Sequence, residues 1–376
     1  MSRKAAFVYH DAMSRHILRA DHPLRAVRLK YTYELLDAYH AFEDENSALV
    51  EPRPATEKEI TSVHDAEYVE AVRSFSRGER KYDPVRFSFG AGGDNPIYEG
   101  MYEAALLSTG ASIVAAELMD GNRVNVAFNI SGGLHHAAAA NASGFCVFND
   151  PAIAIRQLLD KGLRVVYVDI DAHHGDGVQN AFYDNDRVLT ISLHESGMFL
   201  FPGTGFVEEI GAGPGTGFSV NVPLYPYTDD DTYLWAFRET VPPLIAAFKP
   251  DVLVTQLGID SYHSDPLAHL QISSRGFGDA VRELAGMGLP WLATGGGGYD
   301  LGAVARCWTL AYGIMLERDW PDEIPAECRE KYGWERLLDS EVPAVVPENV
   351  RQEARNFAEK SVESVKQLIF PTHRAG

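Results

Sequence analysis

The chain has 376 residues, 45% hydrophobic and 23% charged, a composition that suits a globular protein able to bury a large core in one α/β domain or two. Its formal net charge of −20 disfavours nucleic acid and anionic membranes and favours cationic ligands such as lysine-bearing segments or polyamines. No apolar run is long enough to span a membrane and none near the N-terminus suits a secretory signal, while three scattered cysteines (Cys146, Cys307, Cys328) fit a reducing cytoplasm.

In chain order, β-branched runs predict strands at AAFVYH (5–10), VNVAFNI (124–130), RVVYVDID (164–171), RVLTISL (187–193), FSVNVPL (218–224), DVLVTQL (251–257) and LPWLAT (289–294). Helical patterns fall between them at 95–119, 151–162, 231–249 and 274–288, and an amphipathic helix is expected at 349–369. Strands apolar on both faces, alternating with helices, predict an α/β fold: a mainly parallel sheet covered on both sides. Residues able to do chemistry run from about 94 to 299 without a linker, so one catalytic domain is expected over 1–320, with 321–376 as an extension packed on it. The acidic run 229–231 reads as helix capping, and the glycine-rich loop 211–217 leads into a strand rather than a helix, so it reads as a turn and not a phosphate cradle.

Two adjacent histidines, His135 and His136, follow the pair Gly132 and Gly133. Neighbouring side chains normally diverge, so serving one target with both needs a bent backbone, which glycine permits. Further on, a buried strand runs into Asp169, Asp171 and His173, which share one face at the strand's carboxyl end, where open parallel sheets place their crevices. A second strand ends in Gly-Ile-Asp, carrying Asp260. Turn capping explains an isolated Asp-x-Asp-x-His equally well. Together with Asp260 and the histidine pair, it points instead to Asp171, His173 and Asp260 as a two-carboxylate, one-imidazole set for Zn²⁺ or Fe²⁺ with positions left open for catalysis.

The implied chemistry is attack of cation-activated water on a carbonyl, with a base for the water and a proton donor for the leaving nitrogen. The two histidines supply these roles, and Asp169 and Asp176 are the free acids available to orient them. Tyr299, after four glycines, is a candidate to polarise the carbonyl. Cys146, in an apolar run, reads as packed rather than nucleophilic.

The stretches GGLHHA, GFCVFND, VDIDAHHGDGVQ, SLH…FPGTG, QLGID and GGGGY, in that order, resemble the histone deacetylase family over residues 20 to 315. HPLRAVRLKYTYELL and ARCWTLAYG resemble its bacterial acetoin utilisation branch, close to class I. The resemblance implies the three-layer arginase/deacetylase fold with a central eight-stranded, mainly parallel sheet. It also implies zinc-dependent hydrolysis of acyl-lysine amides, with Asp171, His173 and Asp260 as ligands, His136 as general base and acid, and His135 as its electrostatic partner. Asp169 and Asp176 match their carboxylates, and Tyr299 matches the carbonyl-polarising tyrosine. Gly144, Phe145 and Phe201 match the walls of a tunnel for the lysine stem, Leu267 its rim, Asp94 a rim carboxylate that holds the substrate backbone, and Arg28 an internal cavity.

Structural K⁺ or Na⁺ is implied at Asp169, Asp171, His173, Ser192 and Leu193, with a second site near Phe182, Val188 and Phe218. The branch suggests an acyl-CoA synthetase as a protein partner. Two departures stand out: Ser131 replaces a frequent proline, which should loosen the histidine loop, and ESGMFL before Phe201 should shape the rim. Acyl-chain and peptide preference therefore stay open.

Three other readings compete. An acetylpolyamine amidohydrolase keeps the chemistry, but only DAMSRHILRADH separates the first strand from HPLR, too little for that group's N-terminal insertion. A two-metal ureohydrolase would need a second acid beside Asp260. A catalytically dead acyl-lysine binding module sits poorly with a complete set of candidate catalytic residues.

Overall fold

The computed structural model describes residues 3–90, 92–119, 123–339 and 346–374. Eight strands form one sheet: β1 (Ala5–Val8), β2 (Ser47–Val50), β3 (Val126–Asn129), β4 (Val165–Asp169), β5 (Val188–Glu195), β6 (Ser219–Leu224), β7 (Val252–Gln256) and β8 (Trp291–Thr294). Their order is β2-β1-β3-β8-β7-β4-β5-β6, and every pairing is parallel. All residues of the seven strands other than β2 are buried, as apolar runs covered on both faces require. β2, reading SALV, escapes the sequence pattern because it is an edge strand with partly exposed residues and an apolar run of only three.

One helical layer joins Val27–Ala38 to Leu301–Met315, then Ser274–Gly286, Asp230–Phe248 and Glu348–Leu368. The other contains Met101–Met119, packed on Asp150–Asp160 and β3, and Ala66–Ser76 outside it. A second core cluster, including Tyr68, Phe75, Phe87 and Phe148, fills the space around Ala66–Ser76. The helix Glu348–Leu368 buries Ala354, Ala358, Val362 and Val365, one face at helical spacing, against β6 and Asp230–Phe248. It thereby covers the sheet edge opposite β2, and Ser361 Oγ donates to the Pro223 carbonyl at 2.7 Å. Asp229 caps Asp230–Phe248 through Thr232 N, while Asp230 accepts from Ser273 N and Oγ, so that acid also ties two helices together.

Among the described residues no helix is long and apolar enough to cross a membrane. The three cysteines are buried free thiols.

Candidate active site

The carboxyl ends of four adjacent strands deliver the site. β3 leads to His135 and His136, β8 to the glycines before Tyr299, β7 to Asp260, and β4 to Asp171 and His173. Residues far apart in sequence meet because these strands are neighbours in the middle of a twisted parallel sheet.

At the floor, Asp171, His173 and Asp260 are all buried, and their ligand atoms lie within 4.8 Å of one another. His173 Nδ1 stands 2.9 Å from Asp260 Oδ2 and 3.0 Å from Asp171 Oδ1. The other oxygens are held by protein donors: Asp260 Oδ1 accepts from Ala172 N at 2.7 Å, and Asp171 Oδ2 accepts from Gly297 N at 2.7 Å and Gln256 Nε2 at 2.5 Å. One imidazole nitrogen carries at most one proton and cannot neutralise two buried carboxylates. Burial, with the neighbouring Asp171 carboxylate, pushes the Asp260 carboxyl up to about 7. The donor set fits a divalent cation of the zinc or iron type and leaves coordination positions free.

Beside the floor stand two His–Asp pairs. His135 Nδ1 lies 2.7 Å from Asp169 Oδ2, and His136 Nδ1 lies 2.7 Å from Asp176 Oδ1. The two Nε2 atoms face each other at 3.0 Å. Tyr167 donates its hydroxyl to the same Asp169 oxygen at 2.6 Å. Burial opposes charge on His135, but Asp169 and Asp171 outweigh it and raise its pKa to about 9. Burial, reinforced by His135, lowers that of His136 to about 4. The two rings are thus pushed in opposite directions, His135 toward the charged form and His136 toward the neutral one.

Their adjacency works because the loop doubles back. Gly133 has φ +84°, and a Cβ there would meet the Gly295 carbonyl oxygen at 2.4 Å. The expected loosening at Ser131 is not found. Ser131 N donates to Asn129 Oδ1 at 3.0 Å, a bond proline could not make, and the Ser131 carbonyl accepts from Ser108 Oγ at 2.6 Å.

Tyr299 lines the same cavity. Its ring is 5.8 Å from Phe145, and burial together with Asp260 and Asp171 holds the phenol well above its ordinary pKa. Phe201 stacks edge-on over His136 at 5.1 Å and reaches His173 at 6.4 Å. Gly144 fits between: a Cβ would lie 2.4 Å from His136 Cδ2 and 2.9 Å from Phe201 Cε1. Phe145 takes φ +70°, a left-handed backbone that is costly for a bulky residue, and its ring packs on Tyr299 and His22.

Leu267 is half-buried, its N–H donating to Asp265 Oδ1 at 2.9 Å, while Asp265 Oδ2 accepts from Tyr299 N at 2.8 Å. Asp94 is exposed, and its carbonyl meets His22, whose ring packs on Phe145 at 4.6 Å. Arg28 is buried and donates to the Gly298 and Gly296 carbonyls at 2.8 and 2.7 Å. It lines the site and an adjoining, mostly apolar cleft.

Asp169 and Ser192 are register partners on β4 and β5, with Leu193 next along β5. Phe182 follows the helix Asp176–Ala181, Val188 opens β5, and Phe218 precedes β6. The Phe182 and Phe218 carbonyls accept from Asn185 N and Thr190 N.

Sequence reasoning missed the supports. Gln256 orients Asp171; its signal is a polar amide at the end of a fully buried strand, VLVTQ. Asp150 is buried and accepts from Ser112 Oγ at 2.5 Å, Gly133 N at 3.1 Å and Leu134 N at 2.9 Å, fixing the bend before the histidines. Asn149 Nδ2 donates to the His135 and Ala137 carbonyls. His64 is bound through Nδ1 to the Ala138 carbonyl and accepts from Asn149 N at its Nε2. Asn149-Asp150 before a Pro-led helix reads as a cap, and only the fold shows what else it holds.

Comparison with known proteins follows the same lines. A model of the histone deacetylase domain matches residues 22–315. The acetoin utilization protein AcuC of Bacillus subtilis is 40% identical over 351 residues, covering 91% of this chain and 89% of that protein. Human histone deacetylase 1 is 35% identical over 374 residues, covering 99% of this chain and 75% of the human protein. Among solved structures, an HDAC homolog from Aquifex aeolicus superposes with a TM-score of 0.87 at 31% identity, covering 96% of this chain and all of that one. An HDAC homolog complexed with SAHA gives a TM-score of 0.85 at 31% identity, covering 96% of this chain and 100% of its own.

Proposed function

The chain belongs to the histone deacetylase family, and on that premise we propose that it hydrolyses acyl-lysine side chains of proteins or peptides with one zinc ion. The observation that carries the reading is the convergence of His173 Nδ1 with two buried carboxylate oxygens at 2.9 and 3.0 Å, beside the two His–Asp pairs. A cation held by Asp171, His173 and Asp260 would supply a Lewis acid that polarises the amide carbonyl and acidifies water.

The remaining work falls to the chain. His136, neutral and with Nδ1 turned to Asp176, accepts the water proton at Nε2 as the oxygen bonds to the carbonyl carbon. His135, held by Asp169, supplies a positive neighbour that stabilises the developing negative charge. The protonated Tyr299 phenol donates to the carbonyl oxygen as it becomes an oxyanion. His136 then returns the proton to the departing nitrogen as the C–N bond breaks, releasing lysine and a carboxylate. Gly144, Phe145 and Phe201 sheath the aliphatic stem.

The same reading assigns Asp94 to the substrate backbone, Leu267 to the rim and Arg28 to the inner cavity. It assigns structural K⁺ or Na⁺ to Asp169, Asp171, His173, Ser192 and Leu193, and to the Phe182, Val188 and Phe218 region. Residues 1–320 form the catalytic unit with 321–376 packed on it, in the cytoplasm, and an acyl-CoA synthetase is a candidate substrate protein. Zinc-loaded protein is expected to release acetate from an acetyl-lysine peptide faster than from acetylspermidine, and to form no urea from arginine. Preference for acetylspermidine would make the substrate a polyamine, and no carboxylate from any acyl-lysine would end the reading.

A further inference from the structure

The segment between Glu195 and Glu208 contains no charged residue in a chain that is 23% charged. It nevertheless holds four large apolar side chains in water: Met198 is 67% exposed, Phe199 43%, Phe201 42% and Phe206 37%. A flexible loop would fold such groups inward, because burial is favourable. This loop is prevented from doing so. Phe199 N and Leu200 N donate to the Ser196 carbonyl at 2.8 and 3.1 Å, and Thr204 Oγ1 is 2.8 Å from His174 Nδ1. Glu209 Oε1 accepts from Gly205 N at 2.8 Å and Phe206 N at 3.0 Å, while its Oε2 accepts from Gln179 Nε2 at 2.7 Å. The Phe199 ring is backed by Tyr225 at 5.1 Å, and Tyr225 by Phe357 of the C-terminal helix at 5.7 Å.

We propose that Met198, Phe199 and Phe206 form a preorganised apolar ledge that binds a hydrophobic side chain of the substrate polypeptide, next to the acylated lysine. The inference rests on the deacylase reading and names the substrate class more closely. What fixes the occupant is continuity along the loop: Phe201, two residues after Phe199, is itself 42% exposed and also faces His136 and His173. A lysine stem that passes Phe201 leaves its own backbone at the mouth, and its neighbours lie on the ledge. A polyamine brings only charged nitrogens and short methylene links, so an uncharged apolar shelf gives it no matching partner. Rigid preformed apolar surface adds affinity because little ordering cost is incurred on binding.

The test compares zinc-loaded full-length protein on three substrates: an α-blocked acetyl-lysine amide, an acetyl-lysine peptide flanked by leucine or phenylalanine, and the same peptide flanked by serine. The apolar-flanked peptide is expected to exceed the serine-flanked one in kcat/KM by roughly tenfold, mainly through KM. In Met198→Ser/Phe199→Ser that ratio should fall toward one. Met198→Ser alone, at a largely exposed position, should give an intermediate ratio if the double variant folds poorly. Hydrolysis of all three substrates with equal kcat/KM, or a ratio unmoved by the variants, overturns the ledge while the deacylase reading stands. No hydrolysis even of the blocked amide overturns that reading, and the ledge falls with it.

Discussion

At the floor of the site Asp169, Asp171, Asp260, His135 and His173 are buried polar groups, and at the rim Met198, Phe199 and Phe206 are apolar groups in water. Each region runs against the usual sorting of residues, and each is held in place by hydrogen bonds. The floor groups are fixed by strand tips and by Gln256, Ala172 N and Gly297 N; the rim groups are fixed by Ser196 and Glu209. The difference lies in what would satisfy them. Two acids and an imidazole in low dielectric are stabilised by a cation, whereas an uncharged apolar shelf is stabilised by an apolar side chain from outside. In the proposed reading chemistry falls to the floor and substrate choice to the rim, with Phe201 reaching His136 from the same loop.

Breaking the floor should have the largest effect. Asp260→Asn is expected to remove tight zinc binding and to lower turnover by at least about a thousandfold, read by metal content and acetate release on the same preparation. Tyr299→Phe should lower kcat by roughly a hundred- to a thousandfold while peptide affinity changes little, since the phenol acts on the developing oxyanion. Equal losses in both would remove Tyr299 from that role.

The supports should show smaller effects. Asp150→Asn cannot offer two acceptor oxygens to Ser112 Oγ, Gly133 N and Leu134 N, so unfolding stability should drop by about 1–3 kcal/mol, with kcat falling as the histidine loop loosens. Denaturant melts beside the kinetics would measure both. His64 gives a pH-dependent counterpart. Burial lowers its pKa from 6.5 to about 4, and its Nε2 accepts from Asn149 N, so the fold favours the neutral ring. The unfolded chain takes up the proton first as pH falls below about 6.5. The stabilising contribution is therefore complete above that pH and is lost down to about 4, by about 3 kcal/mol. The gap between wild type and His64→Gln should narrow over that window; a constant gap would show that His64 does not titrate there. The rim sharpens the contrast at the low end, with roughly tenfold effects on kcat/KM.

Much of the floor was legible in the sequence. The expected shared strand face for Asp169, Asp171 and His173 is not what forms: β4 ends at Asp169, and Asp171 and His173 lie in the bend just beyond it. There Asp171 N donates to Asp169 Oδ1 and His173 N to Asp171 Oδ1. The strand's carboxyl end still delivers them, and Gly-Ile-Asp after an apolar run brings Asp260 to the neighbouring tip. Seven strands stood out because both of their faces are buried. β2 did not, because its edge is left partly exposed, whereas β6 at the other edge is buried under the helix Glu348–Leu368. Asp150, Asn149 and His64 were hidden since their partners are backbone groups of the histidine loop, and nothing in a side-chain pattern marks those. Ser131 shows the converse error: the lost proline was visible, but the bonds from Ser131 N to Asn129 and from Ser108 Oγ to the Ser131 carbonyl were not. ESGMFL was recognisable as unusual, yet only the fold shows that Glu195 and Ser196 are buried while Met198 and Phe199 are exposed in the loop that carries Phe201.

The most direct measurement is equilibrium zinc stoichiometry on metal-free protein, by elemental analysis after dialysis, in wild type and Asp260→Asn. One tightly held ion per wild-type chain and none in the variant is the expected result. Two ions per chain, or one that Asp260→Asn leaves in place, would contradict a single-cation floor built from Asp171, His173 and Asp260.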